Sequence, residues 1–316
     1  MVDAPTIPLA RQRPDARPAV GYAMVLVAAI LFGINGTVSK VVLGSGMTSL
    51  ELTQVRSTGA ALGFLAIVLA LRPAALRVDR RELAFLALFG VTGVAFVQWF
   101  YFLAIHRLPV GIALLIQYLA PLLVALFARY VLHEPVRRRI WLALGLALTG
   151  LALVVELWNG LALDGIGVLA CLGAALAYAT YILMAEREMR TRDAASLSFW
   201  GFAFAAVFWA IVQPLWSFPL EQLDDSVSLL GNLDHETAPV WVLLLFVVGV
   251  GTMITFALIT GALRHISATK VGITAMVEPV TAGIIAWLWL GETFGLAQLV
   301  GAAVVLAAIA LAQTAR

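Results

Sequence analysis

The 316-residue chain reads as an all-α polytopic membrane protein, ten transmembrane helices arranged as two inverted five-helix repeats around a central cavity. Three observations predict this. Apolar residues make up 62% of the chain and charged residues only 12%, whereas soluble domains hold about 45–50% and about 25%. Ten apolar stretches follow one another, each near the roughly 20 residues that a helix needs to cross a hydrocarbon core about 30 Å thick. The second half then restates the first: Pro121 falls on Pro279 and Glu134 on Glu292, both pairs 158 residues apart with no gap between them.

In order along the chain, residues 1–20 carry Pro5, Pro8, Pro14 and Pro18 with Arg11, Arg13 and Arg17. They contain no short apolar core ending in a cleavage site, so a disordered cytosolic tail is expected and not a signal peptide. The spans of the first repeat, residues 21–157, fall at 21–43, 49–71, 82–104, 109–131 and 139–157. Those of the second, residues 165–313, fall at 165–185, 196–217, 239–262, 269–290 and 295–313. Pro109 and Thr269 open the fourth and ninth spans, and both residue types are tolerated early in a helix. Cys171 is alone and inside an apolar run, so neither a disulfide framework nor a thiol metal site is expected.

Direction follows from the basic residues, which concentrate in cytosolic loops. With the N-terminus inside, 15 of the 20 fall on cytosolic segments: Arg11, Arg13, Arg17, Arg72, Arg77, Arg80, Arg81, Arg137, Arg138, Arg139, Arg187, Arg190, Arg192, Arg264 and Arg316. The opposite loops hold only Arg107, and the longest of them, about 218–238, carries Glu221, Asp224, Asp225, Asp234 and Glu236 without a base. Both termini are therefore expected in the cytosol of a bacterial cell, with the chain in its cytoplasmic (inner) membrane. An odd number of spans per repeat sends the second half in from the other side. Inverted repeats of that kind place a substrate site near the midplane where the halves meet.

The spans also carry a set of motifs in order: Leu31-Phe32-Gly33-Ile34-Asn35, Arg56, Tyr101-Phe102-Leu103-Ala104, Pro121, Leu132-His133-Glu134, and a fifth span spaced by Gly145 and Gly150, partly repeated at Pro279 and Glu292. In these the chain resembles the drug/metabolite transporter superfamily, EamA branch, from about residue 21 to 313, and within that branch the YddG-type amino-acid exporters. The resemblance implies ten helices around a central cavity, alternating access, and export of amino acids or similar metabolites. Two departures stand out. The second half has no arginine matching Arg56, and its first span lacks the Phe-Gly pair.

Polar side chains inside a span cost a few kcal/mol near the centre, so they face the bundle interior or a wet cavity. On one continuous ninth helix Ser267, Lys270, Thr274, Glu278 and Thr281 share an arc of about 80°. Such a stripe lines a cavity or makes interhelical hydrogen bonds. Glu278 sits mid-span beside Pro279, which removes a backbone hydrogen bond and kinks the helix. It is a candidate for substrate or proton contact, a structural ion pair being the rival reading. Gln117 and Tyr118, with Pro121 one turn on, oppose the stripe by the repeat. Asn35, Gln98, Tyr101, Tyr178 and Tyr181 complete the substrate-binding candidates, although interface belts also explain tyrosines near span ends. Pro121 and Pro279 are the expected hinges. Lys40 and Arg56 read as snorkelling side chains or partners of Glu51, Lys270 as snorkelling, and Glu134 and Glu292 as turn residues. Gly59 and Gly63 form a small-xxx-small pair that lets helices approach.

The chain has no Gly-x-x-x-x-Gly-Lys loop, no His-Glu-x-x-His and no Gly-x-Ser-x-Gly. No enzyme, metal, cofactor or nucleic-acid partner is expected, and transport would be gradient-driven or passive. A monomer would suffice; the oligomeric state stays open. A channel would call for rings of like residues, and phosphate-bearing cargo for several inward cations. The expected function is a secondary exporter of amino acids or similar small metabolites, the alternative an exporter of lipophilic cationic drugs.

Overall fold

The computed structural model describes residues 17–105, 107, 116–131, 133, 135–154, 164–213, 218, 220–291 and 295–314. Glu134, Glu292, Pro109 and residues 1–16 of the tail lie outside the described residues. Helix α1 (Pro18–Gly44) begins inside the expected tail, so residues 18–20 are helical. Pro18 at its first turn explains why: proline's fixed φ suits that position, and the N–H it lacks would have no partner there.

Helix α2 (Ser49–Leu71) starts on a capping box, with Glu51 N donating to Thr48 Oγ1 and Thr48 N donating to Glu51 Oε2. Asp79, Asp164 and Asp193 cap α3 (Arg80–Leu88), α7 (Gly165–Glu188) and α8 (Ala194–Val212) in the same N3 geometry. The remaining helices are α4 (Phe96–Ile105), α5 (Ala120–Tyr130), α6 (Arg138–Val154), α9 (Val240–Val248), α10 (Thr255–Ala262), α11 (Ala268–Ala275), α12 (Glu278–Leu290) and α13 (Leu296–Thr314). Among the described residues, seven helical stretches are long and apolar enough to cross a membrane by length and composition.

Two backbone irregularities recur in both halves. Between α3 and α4 the helix opens into a π segment at Phe89–Ala95, and between α9 and α10 into another at Gly249–Ile254. π-helix accounts for well under 1% of residues in proteins, so its return in the corresponding span is the repeat written in the backbone. Threonine hydroxyls fill the loosened ladders: Thr92 donates to Leu88 O at 2.6 Å and Thr252 to Val247 O at 2.7 Å. The second irregularity is a break before each matched proline. A turn at Tyr118 and Leu119 precedes α5, and another at Met276 and Val277 separates α11 from α12. Pro121 and Pro279 each occupy the second residue of the helix that follows.

The packing pairs exchange under the repeat as well. α2 lies on α8 and α6 on α13, each against its own counterpart, while α1 packs on α10 and α12 as α7 packs on α4 and α5. Gly59 and Gly63 of α2 face α9 and the second π segment, where a Cβ on Gly59 would meet Val248 Cγ1 at 2.8 Å and one on Gly63 would collide with Met253. Arg17, Arg77, Arg192 and Arg264 gather at one end of the bundle through Arg17 N to His265, Arg192 to the Arg77 carbonyl, and Arg264 to the Arg192 carbonyl. At the other end the chain departs from the all-α expectation. Strands β1 (Ser226–Ser228) and β2 (Thr237–Pro239) form an antiparallel hairpin, with Val227 opposite Ala238. Its chain reversal uses Leu230 (φ 66°) and Gly231 (φ 57°). Apolar residues of the hairpin, Val227, Leu229 and Ala238, pack with the ends of α1 and α9, a local cluster that no helical periodicity announces.

Candidate functional site

The two helix breaks face each other. Tyr118, in the break before α5, donates its hydroxyl to Glu278 Oε2 at 2.8 Å and reaches Ala275 O at 3.4 Å. Ala275 ends α11, so its carbonyl is one of the acceptors that the interrupted ladder releases. Glu278 opens α12, where the first-turn N–H groups and the helix dipole favour a carboxylate. Across the same junction Pro121 presses on α11: a Cβ on Gly272 would lie 3.0 Å from Pro121 Cγ. By the repeat, Glu278 occupies the place of Ala120 in the first half, so the acid is present on one side only.

Three further groups lie around that carboxyl. Arg56 of α2, Tyr101 of α4 and Tyr178 of α7 lie within electrostatic range of Glu278, as does Tyr118 itself. Arg56 is held by Nε donating to Thr252 Oγ1 at 3.1 Å, and Thr252 is the π-segment residue whose hydroxyl is fixed on Val247 O. The assembly draws on α2, α4 and α7 and on both breaks.

Arg56 therefore corrects the expectation that it snorkels or pairs with Glu51. Glu51 is used by the capping box at Thr48, and Arg56 turns inward to the eighth span. The Thr-x-x-Glu signature at the head of an apolar run was the signal that Glu51 was already engaged. The ninth-span stripe is corrected too. The chain turns at Met276–Val277, so one helical period no longer carries through residues 267–281. Thr274 donates to Lys270 O at 2.8 Å within α11, whereas Thr281 donates to Ala29 O of α1 at 3.1 Å.

The other candidates divide. Tyr181 is 3% exposed, shares a hydrogen bond with Thr260 Oγ1 at 2.9 Å, and stacks on Phe89 with centroids 5.4 Å apart. It belongs to an aromatic layer with Phe256 and Phe202, linked to the cluster through the stacked Tyr178. Asn35 is buried against Gly251 of the second π segment, where a Cβ would overlap its side chain, and its Oδ1 has no partner. Gln98 bonds weakly back to Val94 O at 3.4 Å, leaving Oε1 unpartnered, and Gln117 Oε1 is likewise buried without a partner. Buried polar atoms of this kind are costly without a hydrogen bond, and three of them sit on sequence-derived candidates.

One family profile matches residues 19–156 and, a second time, residues 165–314: that of the EamA-like transporters. The chain belongs to the EamA-like transporter family. Similar curated proteins include an uncharacterized transporter of Archaeoglobus fulgidus, 28% identical over 92% of this chain and 96% of its own length. The threonine/homoserine exporter RhtA of Escherichia coli K12 is 26% identical over 83% of this chain and 79% of its own. The pseudopaline exporter CntI of Pseudomonas aeruginosa is 25% identical over 93% and 96%. A solved crystal structure superposes with a TM-score of 0.75 over 93% of this chain and 96% of that one, at 18% identity, which shows a shared fold. Members of the EamA-like family are transporters, and the duplicated profile falls on the two halves that the π segments and broken helices relate.

Proposed function

We propose that the chain is a secondary transporter that exports amino acids, or small metabolites with the same zwitterionic ends, across the bacterial cytoplasmic membrane by alternating access. In this reading ten spans form two inverted repeats, residues 21–157 and 165–313, with both termini cytosolic. The observation that carries it is the meeting of Glu278 and Tyr118 at the two breaks with Arg56 in electrostatic range. A carboxylate inside a bilayer needs a partner. An acid from one half and a guanidinium from the other offer complementary ends to an ammonium and a carboxylate, the latter matched by arginine's planar donors. Tyr101 and Tyr178 add donors and apolar ring faces beside them. The exporter names of two relatives agree with the direction, and that of RhtA with the class of cargo.

The lipophilic-cation alternative uses Glu278 and the tyrosines but leaves Arg56 as a repelling charge, which disfavours it. Counterflow in proteoliposomes, with a panel of amino acids and lipophilic cations, separates the two. Exchange of amino acids, lost by at least tenfold in both Glu278→Gln and Arg56→Gln, is expected. Exchange of lipophilic cations that survives Arg56→Gln, with no amino acid exchanged by the unmodified protein, would overturn the proposal.

A further inference from the structure

At the arginine-rich end of the bundle a void of about 330 Å³ opens between the short 3-10 turn after α2, the start of α3, the α7–α8 turn and the end of α10. Its floor is built and rigid. Arg192 is 8% exposed and four of its five N–H donors are engaged: Nε on Glu82 Oε1, Nη1 on Ala75 O and Ser196 Oγ at 2.8 Å, and Nη2 on Arg77 O at 3.2 Å. The two acids beside the void are committed too. Glu82 pairs with Arg192, and Asp193 Oδ1 accepts from Ser196 N as the cap of α8. Three cations on its walls, Arg72, Arg77 and Arg264, are solvent-exposed. Arg264 gives one Nη2–H to Arg192 O at 3.0 Å, which holds its guanidinium at the wall of the void.

Such a pocket has a surplus of positive charge, three forked donors from two separate segments, and room for a phosphate with its substituents. Its position says more. Arg72 directly follows Leu71, 75% exposed, with Leu69, 52% exposed, half a turn before it. In a membrane helix those leucines face acyl chains, so the pocket mouth lies where hydrocarbon gives way to headgroups. Basic pockets between helices at this level bind anionic lipid headgroups, and arginine is the side chain best suited to bidentate phosphate contact.

We infer that this void is a binding site for a phosphate-bearing anion, an anionic phospholipid headgroup, held by Arg72, Arg77 and Arg264 above the Arg192–Glu82 floor. The site joins segments of both halves, the 72–82 connection of the first and residues 191–196 and 264 of the second. A bound headgroup would tie the halves together at this surface. The inference stands on the pocket alone and not on the identity of the transported molecule.

The test uses the full chain in a neutral micelle, with thermal unfolding followed by tryptophan fluorescence during titration with dihexanoyl phosphatidylglycerol, dihexanoyl phosphatidylcholine or inorganic phosphate. Phosphatidylglycerol is expected to raise the midpoint and phosphatidylcholine to leave it unmoved. The half-maximal concentration should rise about fivefold in Arg72→Gln and again in Arg264→Gln, from about 1 kcal/mol per basic residue at an anionic surface. Arg138→Gln, at the exposed first residue of α6, should respond as the unmodified protein does. Inorganic phosphate matching the lipid, with the same loss in the variants, would keep the site and assign it to a soluble phosphate. The inference falls if neither phosphate compound moves the midpoint, if both lipids act alike, or if Arg72→Gln responds normally. Arg72→Gln touches no hydrogen bond of the floor, so it keeps the test valid should Arg264→Gln fail to fold.

Discussion

Removing one oxygen atom tests whether Glu278 is a working charge. Tyr118→Phe deletes the hydroxyl that donates to Glu278 Oε2 at 2.8 Å, keeping the ring, which is 3% exposed and packed beside Met276, Val277 and Val280. A hydrogen bond to a charged group contributes about 1.5–3 kcal/mol. Neutral interhelical bonds in membranes average about 0.6 kcal/mol. If Glu278 is ionised, Tyr118→Phe should therefore cost about 1–2 kcal/mol more in the native background than in Glu278→Gln, whose amide oxygen still accepts. That difference is a fivefold to thirtyfold change in the unfolding constant, above the few tenths that separate independent sites. The assay is reversible unfolding in mixed micelles of increasing denaturing-detergent fraction, followed by tryptophan fluorescence, for the four proteins of the cycle. Equal costs of Tyr118→Phe in both backgrounds would mean that no charge sits at Glu278 in the folded protein. The pairing of Glu278 with a substrate ammonium would then fail.

Three further outcomes follow. Gly33→Ala should destabilise the fold by about 1–3 kcal/mol, since the new methyl would lie 2.9 Å from the Ala282 backbone nitrogen and α1 would have to retreat from α12; an unchanged unfolding midpoint would contradict that packing. In a Cys171→Ser background, cysteines at positions 78, 138 and 190 should react with impermeant reagents only from the cytosol and one at 225 only from outside. Labelling of 190 and 225 from the same side would refute the topology. Pro279→Ala should lower transport at least severalfold at near-normal folded yield, because alanine permits the α11 and α12 ladders to join across Met276–Val277; full activity would show that the break has no part in transport.

The helices and the halves were legible because hydropathy and the 158-residue offset are properties of the chain itself. The contact between Tyr118 and Glu278 was also within reach, since the repeat sets residue 118 against residue 276, two positions from Glu278. What failed was arithmetic that assumes an unbroken helix. Thr274 shares a face with Glu278 only if the period runs through residues 276 and 277, where the chain turns, whereas Thr281 lies with Glu278 in α12. Arg56 was misjudged because depth along a span says nothing about rotation, and only the π segment that brings Thr252 to it fixes which way it points. A widened turn of that kind costs no particular residue: glycines occur at Gly90, Gly93, Gly249 and Gly251, as they do in many regular spans. The β1–β2 hairpin escaped because its strands are three residues each, too short for alternation to register.

That hairpin changes the mechanics of the broken ninth span. Trp289 Nε1 donates to Leu229 O at 2.7 Å, and Asn232 Nδ2 donates to Leu288 O at 3.1 Å. The last turn of α12 is thus stapled twice to a folded loop, which is itself seated on the ends of α1 and α9. Of the two levers that meet at Glu278, α12 is anchored at its far end. The eight-residue α11 is tied at its own far end to α7 instead, where Ala268 N donates to Glu186 Oε2 at 3.3 Å. The carboxylate therefore rides on the arm that is tied to the hairpin, and the Ala275 carbonyl on the arm that is tied to α7. The acidic loop is then a mooring for the arm that carries the charge.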